Sequence, residues 1–147
     1  MPKFTVSVLI NRSQQDVFDF LSNAANYQQW MPLLQSGEWA SGGEPGVGST
    51  FRGTMKIAGK EMVFETEIAR WDPPNCLSMK FLKAQFPFGS MEYVYRLESE
   101  NGGTRVTLDG EYEMVGMMRF AAGLMGKTAT KSNGNELKTL KRLLEAG

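Results

Sequence analysis

One stretch decides what this chain can build. Residues 114–145 are the only segment able to form a long helix, and everything before them reads as short pieces. Thirty-odd residues at about 1.5 Å each give a helix of about 45–50 Å, enough to cross a whole small domain. Its two halves differ. In the second half Leu137, Leu140 and Leu144 recur at helical spacing, which predicts an amphipathic packing surface. The first half is rich in Met, Gly and Ala. Gly116, Gly123, Gly126 and Gly134 each weaken a helix by about 1 kcal/mol relative to Ala. This half reads as soft, and Gly126 and Gly134 are its weakest points, where a break would fall if the long helix were interrupted.

The preceding residues alternate. Phe4, Val6, Val8 and Ile10 face one way and Lys3, Thr5 and Ser7 the other, the mark of a half-buried strand. Ser13 reads as the N-cap of a short helix carrying Val17, Phe18, Phe20 and Leu21. A second short helix is expected over residues 23–30, ended by Pro32. From Leu34 onward six alternating segments follow, separated by turn signals such as Ala58-Gly59-Lys60, Asp72-Pro73-Pro74-Asn75 and Asn101-Gly102-Gly103. Consecutive strands joined by short turns are antiparallel. Each offers water a polar face and needs a cover for its apolar face, and only the last helix is long enough to supply it. The order predicts an α+β fold, a curved antiparallel sheet of about seven strands wrapped around the C-terminal helix.

Composition narrows the chemistry. The 147 residues suit a single domain spanning 1–147. The 16 basic and 16 acidic residues cancel and are scattered, so no nucleic-acid surface is expected. Cys76 is the lone cysteine, which excludes an internal disulfide and fits a reducing, cytoplasmic compartment. No signal peptide is legible, and no apolar run approaches the roughly 20 residues a bilayer requires, so stable membrane insertion is not expected. There is no histidine, which removes imidazole bases, Ser-His and Cys-His pairs and every His-containing metal site. No metal and no cofactor are expected. Ten methionines suit either a plastic core or an adaptable cavity lining.

Several local patterns go further. The opening strand runs into Ser13-Gln14-Gln15-Asp16-Val17-Phe18-Asp19-Phe20-Leu21, followed by Asn23-Ala24-Ala25-Asn26-Tyr27-Gln28-Gln29-Trp30-Met31-Pro32. Gly46-Val47-Gly48-Ser49 precedes a strand, Trp71-Asp72-Pro73-Pro74 follows one, and a leucine-rich helix closes the chain. Over its full length this resembles the START-like superfamily, the birch-pollen-allergen and polyketide-cyclase group also labelled SRPBCC, with its Asn/Asp…Tyr-x-x-Trp-x-Pro segment. Within it the chain looks closest to small bacterial stand-alone members of the polyketide cyclase/dehydrase type. The resemblance implies the helix-grip fold, with an apolar cavity between sheet and long helix. Members bind lipids, sterols, hormones or aromatic polyketides; some catalyse cyclisation and some serve as co-chaperones. Fold alone therefore leaves function open.

Strand parity indicates where a site would lie. The connections at 58–60, 86–89 and 114–118 fall at one end of the sheet, so a cavity mouth is expected from Gly59, Phe86, Phe88, Met114, Met117 and Met118. The inward faces would supply the walls: Met55, Phe64, Thr66, Met79, Phe81, Tyr93, Tyr95, Tyr112, Phe120 and Leu124. Each also fits a plainly filled core. Phe86 and Phe88 flanking Pro87 suggest an aromatic loop at the mouth or a membrane-touching tip. Thr66, Tyr93, Tyr95, Tyr112, Arg70, Arg119 and Asn135 are candidate polar anchors. Gly42–Gly48 lacks the Gly-Lys-Ser/Thr ending of a phosphate loop. Glu65, Glu67, Glu111 and Glu113 read as solvated carboxylates on outward strand faces.

Three functions follow. The first is binding of a hydrophobic small molecule or lipid in the cavity. The second is a polyketide cyclase/dehydratase-like enzyme. No inward carboxylate is evident in the sequence, and a buried Asp or Glu facing the cavity would revive that reading. The third is a protein-interaction accessory module, with a homodimer left open.

Overall fold

Outside residues 34–39, the strand segments carry apolar residues at every second position, the period of a pleated strand. The computed structural model describes residues 3–57, 59–82 and 88–146. The elements are β1 (Lys3–Ile10), α1 (Gln14–Ser22), a 3-10 turn (Ala24–Asn26), α2 (Tyr27–Trp30), β2 (Leu34–Trp39), β3 (Thr50–Ile57), β4 (Lys60–Asp72), β5 (Cys76–Phe81), β6 (Phe88–Glu100), β7 (Gly103–Met114), a 3-10 helix (Gly116–Ala121) and α3 (Ala122–Ala146). All seven strands join one antiparallel sheet in the order β1-β7-β6-β5-β4-β3-β2. Strands β2 to β7 form a meander, and β1 docks beside β7. The register sets Arg52 opposite Glu65 and Lys3 opposite Glu111, with charged atoms 3.4 and 3.2 Å apart. Such exposed pairs contribute a few tenths of a kcal/mol each, so they favour the register more than the stability.

The short helices begin at side-chain caps. The Asp16 amide donates to Ser13 Oγ at 3.1 Å, and the Ala25 amide donates to the Asn23 side-chain oxygen at 3.0 Å. Val17, Phe18, Leu21, Tyr27 and Trp30 are buried, so α1 and α2 present their apolar faces to the core. Phe18 meets Trp71 edge to face at 5.4 Å.

The long helix differs from its expected extent. Met114 ends β7, the chain then winds as a 3-10 helix, and α3 begins only at Ala122. From there it runs 25 residues without a break at Gly126 or Gly134. Tertiary packing overrides the propensity cost. At Gly126 the missing side chain is what permits the approach, since a Cβ there would lie 2.9 Å from Tyr112 Oη. Leu137, Leu140 and Leu144 are buried, and α3 lies along β1. Each such leucine contributes about 1.5–3 kcal/mol. Polar ties fix the same end: Arg12 Nη1 donates to the Leu144 carbonyl at 3.0 Å, and Lys141 Nζ donates to the Leu9 carbonyl at 2.7 Å. The other end is lightly held. Met117, Phe120 and Leu124 are 86%, 89% and 69% exposed.

Glycines in the sheet make room for rings. A Cβ on Gly53 would lie 2.7 Å from Phe64 Cζ, and one on Gly37 would lie 2.2 Å from Phe51 Cζ. Gly110 stands between Phe4 and Tyr93 in the register, and those two rings meet edge to face across it at 5.7 Å.

Candidate ligand cavity

Between the inner face of the sheet and α3 lies a cavity of about 320 Å³. Its two walls have opposite character. The sheet wall carries a row of rings, each in contact with the next: Phe51–Phe64 at 6.1 Å, Phe64–Phe81 at 5.8 Å, Phe81–Tyr93 at 6.0 Å and Tyr93–Phe4 at 5.7 Å. Met55, Met62, Met79 and Met91 fill the space around that row. The helix wall is smaller and more polar: Met125, Thr128, Ala129, Ser132, Asn133 and Glu136. Those positions follow the three- and four-residue spacing of one helix face.

Glu136 is the lone carboxylate among the described residues lining the cavity, and none of them is Lys, Arg or His. It is half-buried. Burial pushes its carboxyl up to about 7, with no cation to offset it. Its charge reaches the sheet. Burial chiefly, and Glu136 in addition, raise Tyr93 to about 12, while the Asn133 side chain hydrogen-bonds Tyr93 and pulls it back. Tyr95 is likewise held well above its usual range, first by burial and then by Glu136. Tyr93, Tyr95, Asn133 and Glu136 therefore form one polar corner in an otherwise apolar space.

Of the residues expected in the walls, Met55, Phe64, Thr66, Met79, Phe81, Tyr93, Tyr95 and Tyr112 line this cavity. Phe120 and Leu124 do not. The 3-10 segment delays the start of α3, and both side chains point outward. Three residues of the expected mouth, Gly59, Met114 and Met117, are described in full. Met114 is 3% exposed, because its parity on β7 turns it into the core. Met117 is exposed and, like Gly59, does not line the cavity. Phe86 and the side chains of Phe88 and Met118 lie outside the described residues. Among the described lining residues, Leu33 and Thr128 are exposed. Arg70, Arg119 and Asn135 are exposed and outside the cavity. For Arg70 the reason is a bulge between Ile68 and Arg70, which reverses the facing of β4 and turns Trp71 toward the core instead. Sequence reasoning missed Glu136 and Asn133. The signal was present: both share a helix face with Leu140, four and seven positions before it.

A seven-stranded antiparallel sheet gripping a C-terminal helix over an apolar cavity defines the START-like, helix-grip class. The chain belongs to the polyketide cyclase/dehydrase and lipid transport family, whose model matches residues 1–145. No curated protein matches it. Among solved structures it is similar to TTHA0849 from Thermus thermophilus, with 20% identity and a TM-score of 0.83, covering 99% of this chain and 98% of that one. The Zhui aromatase/cyclase from Streptomyces sp. R1128 shares 15% identity at a TM-score of 0.77, over 97% and 93% of the two chains. Ara h 8.0201 shares 16% identity at a TM-score of 0.77, over 99% and 98%. At these identities the likeness concerns the fold. Among the described residues, no helix is long and apolar enough to cross a membrane, and no cluster of three or more His, Cys, Asp or Glu could hold a metal ion.

Proposed function

We propose that this chain binds a hydrophobic small molecule in the cavity, its body against the ring row and its polar end in the corner at Glu136. The observation that carries this reading is the pairing of an apolar, ring-lined space with one unpaired carboxyl at its side. At about 320 Å³ the cavity falls at the low end of the roughly 300–1,000 Å³ typical of ligand sites. That size favours a compact ring-bearing molecule over a bulky two-chain lipid. Location in a reducing, cytoplasmic compartment belongs to the same reading, on the strength of the single Cys76.

Glu136 supports a second reading, an enzyme of the cyclase/dehydratase kind. A carboxyl raised to about 7 sits near the pH at which a general base or acid works best. It could take a proton from an acidic carbon of a bound ketone or return one to a departing hydroxyl, with Tyr93 as a neutral hydrogen-bond donor. The test is fluorescence titration with the uncharged probe N-phenylnaphthylamine. Saturable binding to one site, lost in Ala129→Phe, is the expected result. Absence of saturable binding by the wild type would remove the reading. Conversion of a poly-β-ketone thioester by the wild type, lost in Glu136→Gln with probe binding retained, would establish the enzyme.

A further inference from the structure

We infer that the cavity selects its ligand by charge: it admits uncharged or cationic molecules that bring a hydrogen-bond donor to the polar corner, and it rejects carboxylates and other anions. This deepens the binding reading and rests on it.

Glu136 acts on two hydroxyl-bearing rings of β6, Tyr93 and Tyr95. Tyr27 of α2, Tyr112 of β7 and Ser132 and Asn133 of α3 line the same cavity. None of these is a cation. Among the described residues Glu136 has no hydrogen-bond or ion-pair partner, and burial is the sole cause of its raised affinity for a proton. Among the described residues no hydrogen bond joins the neutral Tyr93 and Tyr95 hydroxyls to Glu136, and the nearby amide donor is already engaged. Asn133 Nδ2 donates to the Ala129 carbonyl at 2.8 Å, and the same side chain hydrogen-bonds Tyr93. An ionised carboxylate only accepts hydrogen bonds. The corner therefore presents an acceptor that lacks a donor, and a ligand that fills this gap is the one the site complements.

The same accounting excludes an acid head. A carboxylate entering an apolar space must leave its hydration behind and find a cation or several donors. The described lining residues hold no cation, and the acid already there takes the same sign once it ionises. Lysines do occur on α3, but Lys127 and Lys131 are exposed and line, with Lys3, an outer groove that meets the cavity at Tyr112 and not at Glu136. A free fatty acid would thus meet an unfavourable charge at Glu136, whereas an amine, alcohol, phenol or amide N–H would bring the donor it lacks.

Three probes that share a naphthalene body test this: naphthylmethylamine, naphthylmethanol and naphthoate, each measured by displacement of N-phenylnaphthylamine. The amine and the alcohol are expected to displace it at neutral pH, with naphthoate weaker by about tenfold or more. In Glu136→Gln the gap between amine and naphthoate should shrink, mainly because the amine loses its ion-pair partner and weakens. If that variant does not fold, the wild type supplies the same information. The amine should bind more tightly at about pH 8.5 and naphthoate at about pH 5.5, on the two sides of the Glu136 titration. Naphthoate binding as tightly as the alcohol, or an order of affinities that neither pH nor Glu136→Gln alters, overturns charge selection while leaving the binding reading intact. Failure of N-phenylnaphthylamine itself to bind overturns both.

Discussion

Replacing Glu136 by Gln should free folding stability from much of its dependence on pH between about 5 and 8. The carboxyl rises from its usual 4.5 to about 7 in the folded chain. Each pH unit of such a rise corresponds to about 1.4 kcal/mol, so the ionised form is less favourable by about 3 kcal/mol once folded. The group is half-buried and faces a space that water can enter. Screening therefore reduces the expected effect to about 2–3 kcal/mol. The direction follows from linkage. A folded-state value raised above the unfolded one gives stability that is fully present below about 4.5 and is lost as pH climbs through about 7. Gln imitates the protonated acid in shape and charge, so wild type and variant should match near pH 4.5. By about pH 8 the variant should be more stable by about 2–3 kcal/mol, a gain in Tm of about 4–12 °C for a chain of this size. Urea unfolding of both proteins across that range measures the difference directly. A difference that stays constant with pH, or a wild type that gains on the variant as pH rises, would refute the argument that burial alone sets this carboxyl.

The two ends of α3 should respond very differently to truncation. Leu140→Ala removes a fully buried side chain and should cost about 2–5 kcal/mol, whereas Phe120→Ala, at a residue 89% exposed, should shift stability by less than about 0.5 kcal/mol; equal losses in thermal denaturation would contradict the packing described. Ser13→Ala removes the oxygen that receives the Asp16 amide and should cost about 1 kcal/mol, with Ser13→Gly closer to wild type; no change in urea midpoint would show the cap to be idle.

The strands and their order were legible because a period of two is hard to disguise, and the turns at Gly59 and Gly102 carry the positive φ their residue type predicts. Parity also carried the sheet wall, since Met55, Phe64, Thr66, Met79, Phe81, Tyr93, Tyr95 and Tyr112 all follow from alternation. It failed where the backbone departs from strict alternation. The bulge after Ile68 turned Arg70 outward, and the 3-10 segment after Gly116 turned Phe120 away from the expected wall. The helix wall was hidden for another reason. Leucines at 137, 140 and 144 draw attention to the face that packs on β1, and Glu136 stands one position beside that row. A charged residue there looks solvated until the sheet is known to curve over it.

The rings laid over Gly37, Gly53 and Gly110 have a consequence for how this scaffold could diversify. The space occupied by each ring is the space a side chain at the glycine would claim. A single methyl at Gly53 would lie 2.7 Å from Phe64 Cζ, so this cavity-lining ring would have to move. On the binding reading proposed above, glycine–ring couples on the sheet would govern the size of guest and one face of the helix the head group tolerated. The two traits reside on different elements, so each can drift without disturbing the other, and a family of such chains could explore guest size and guest polarity as independent axes.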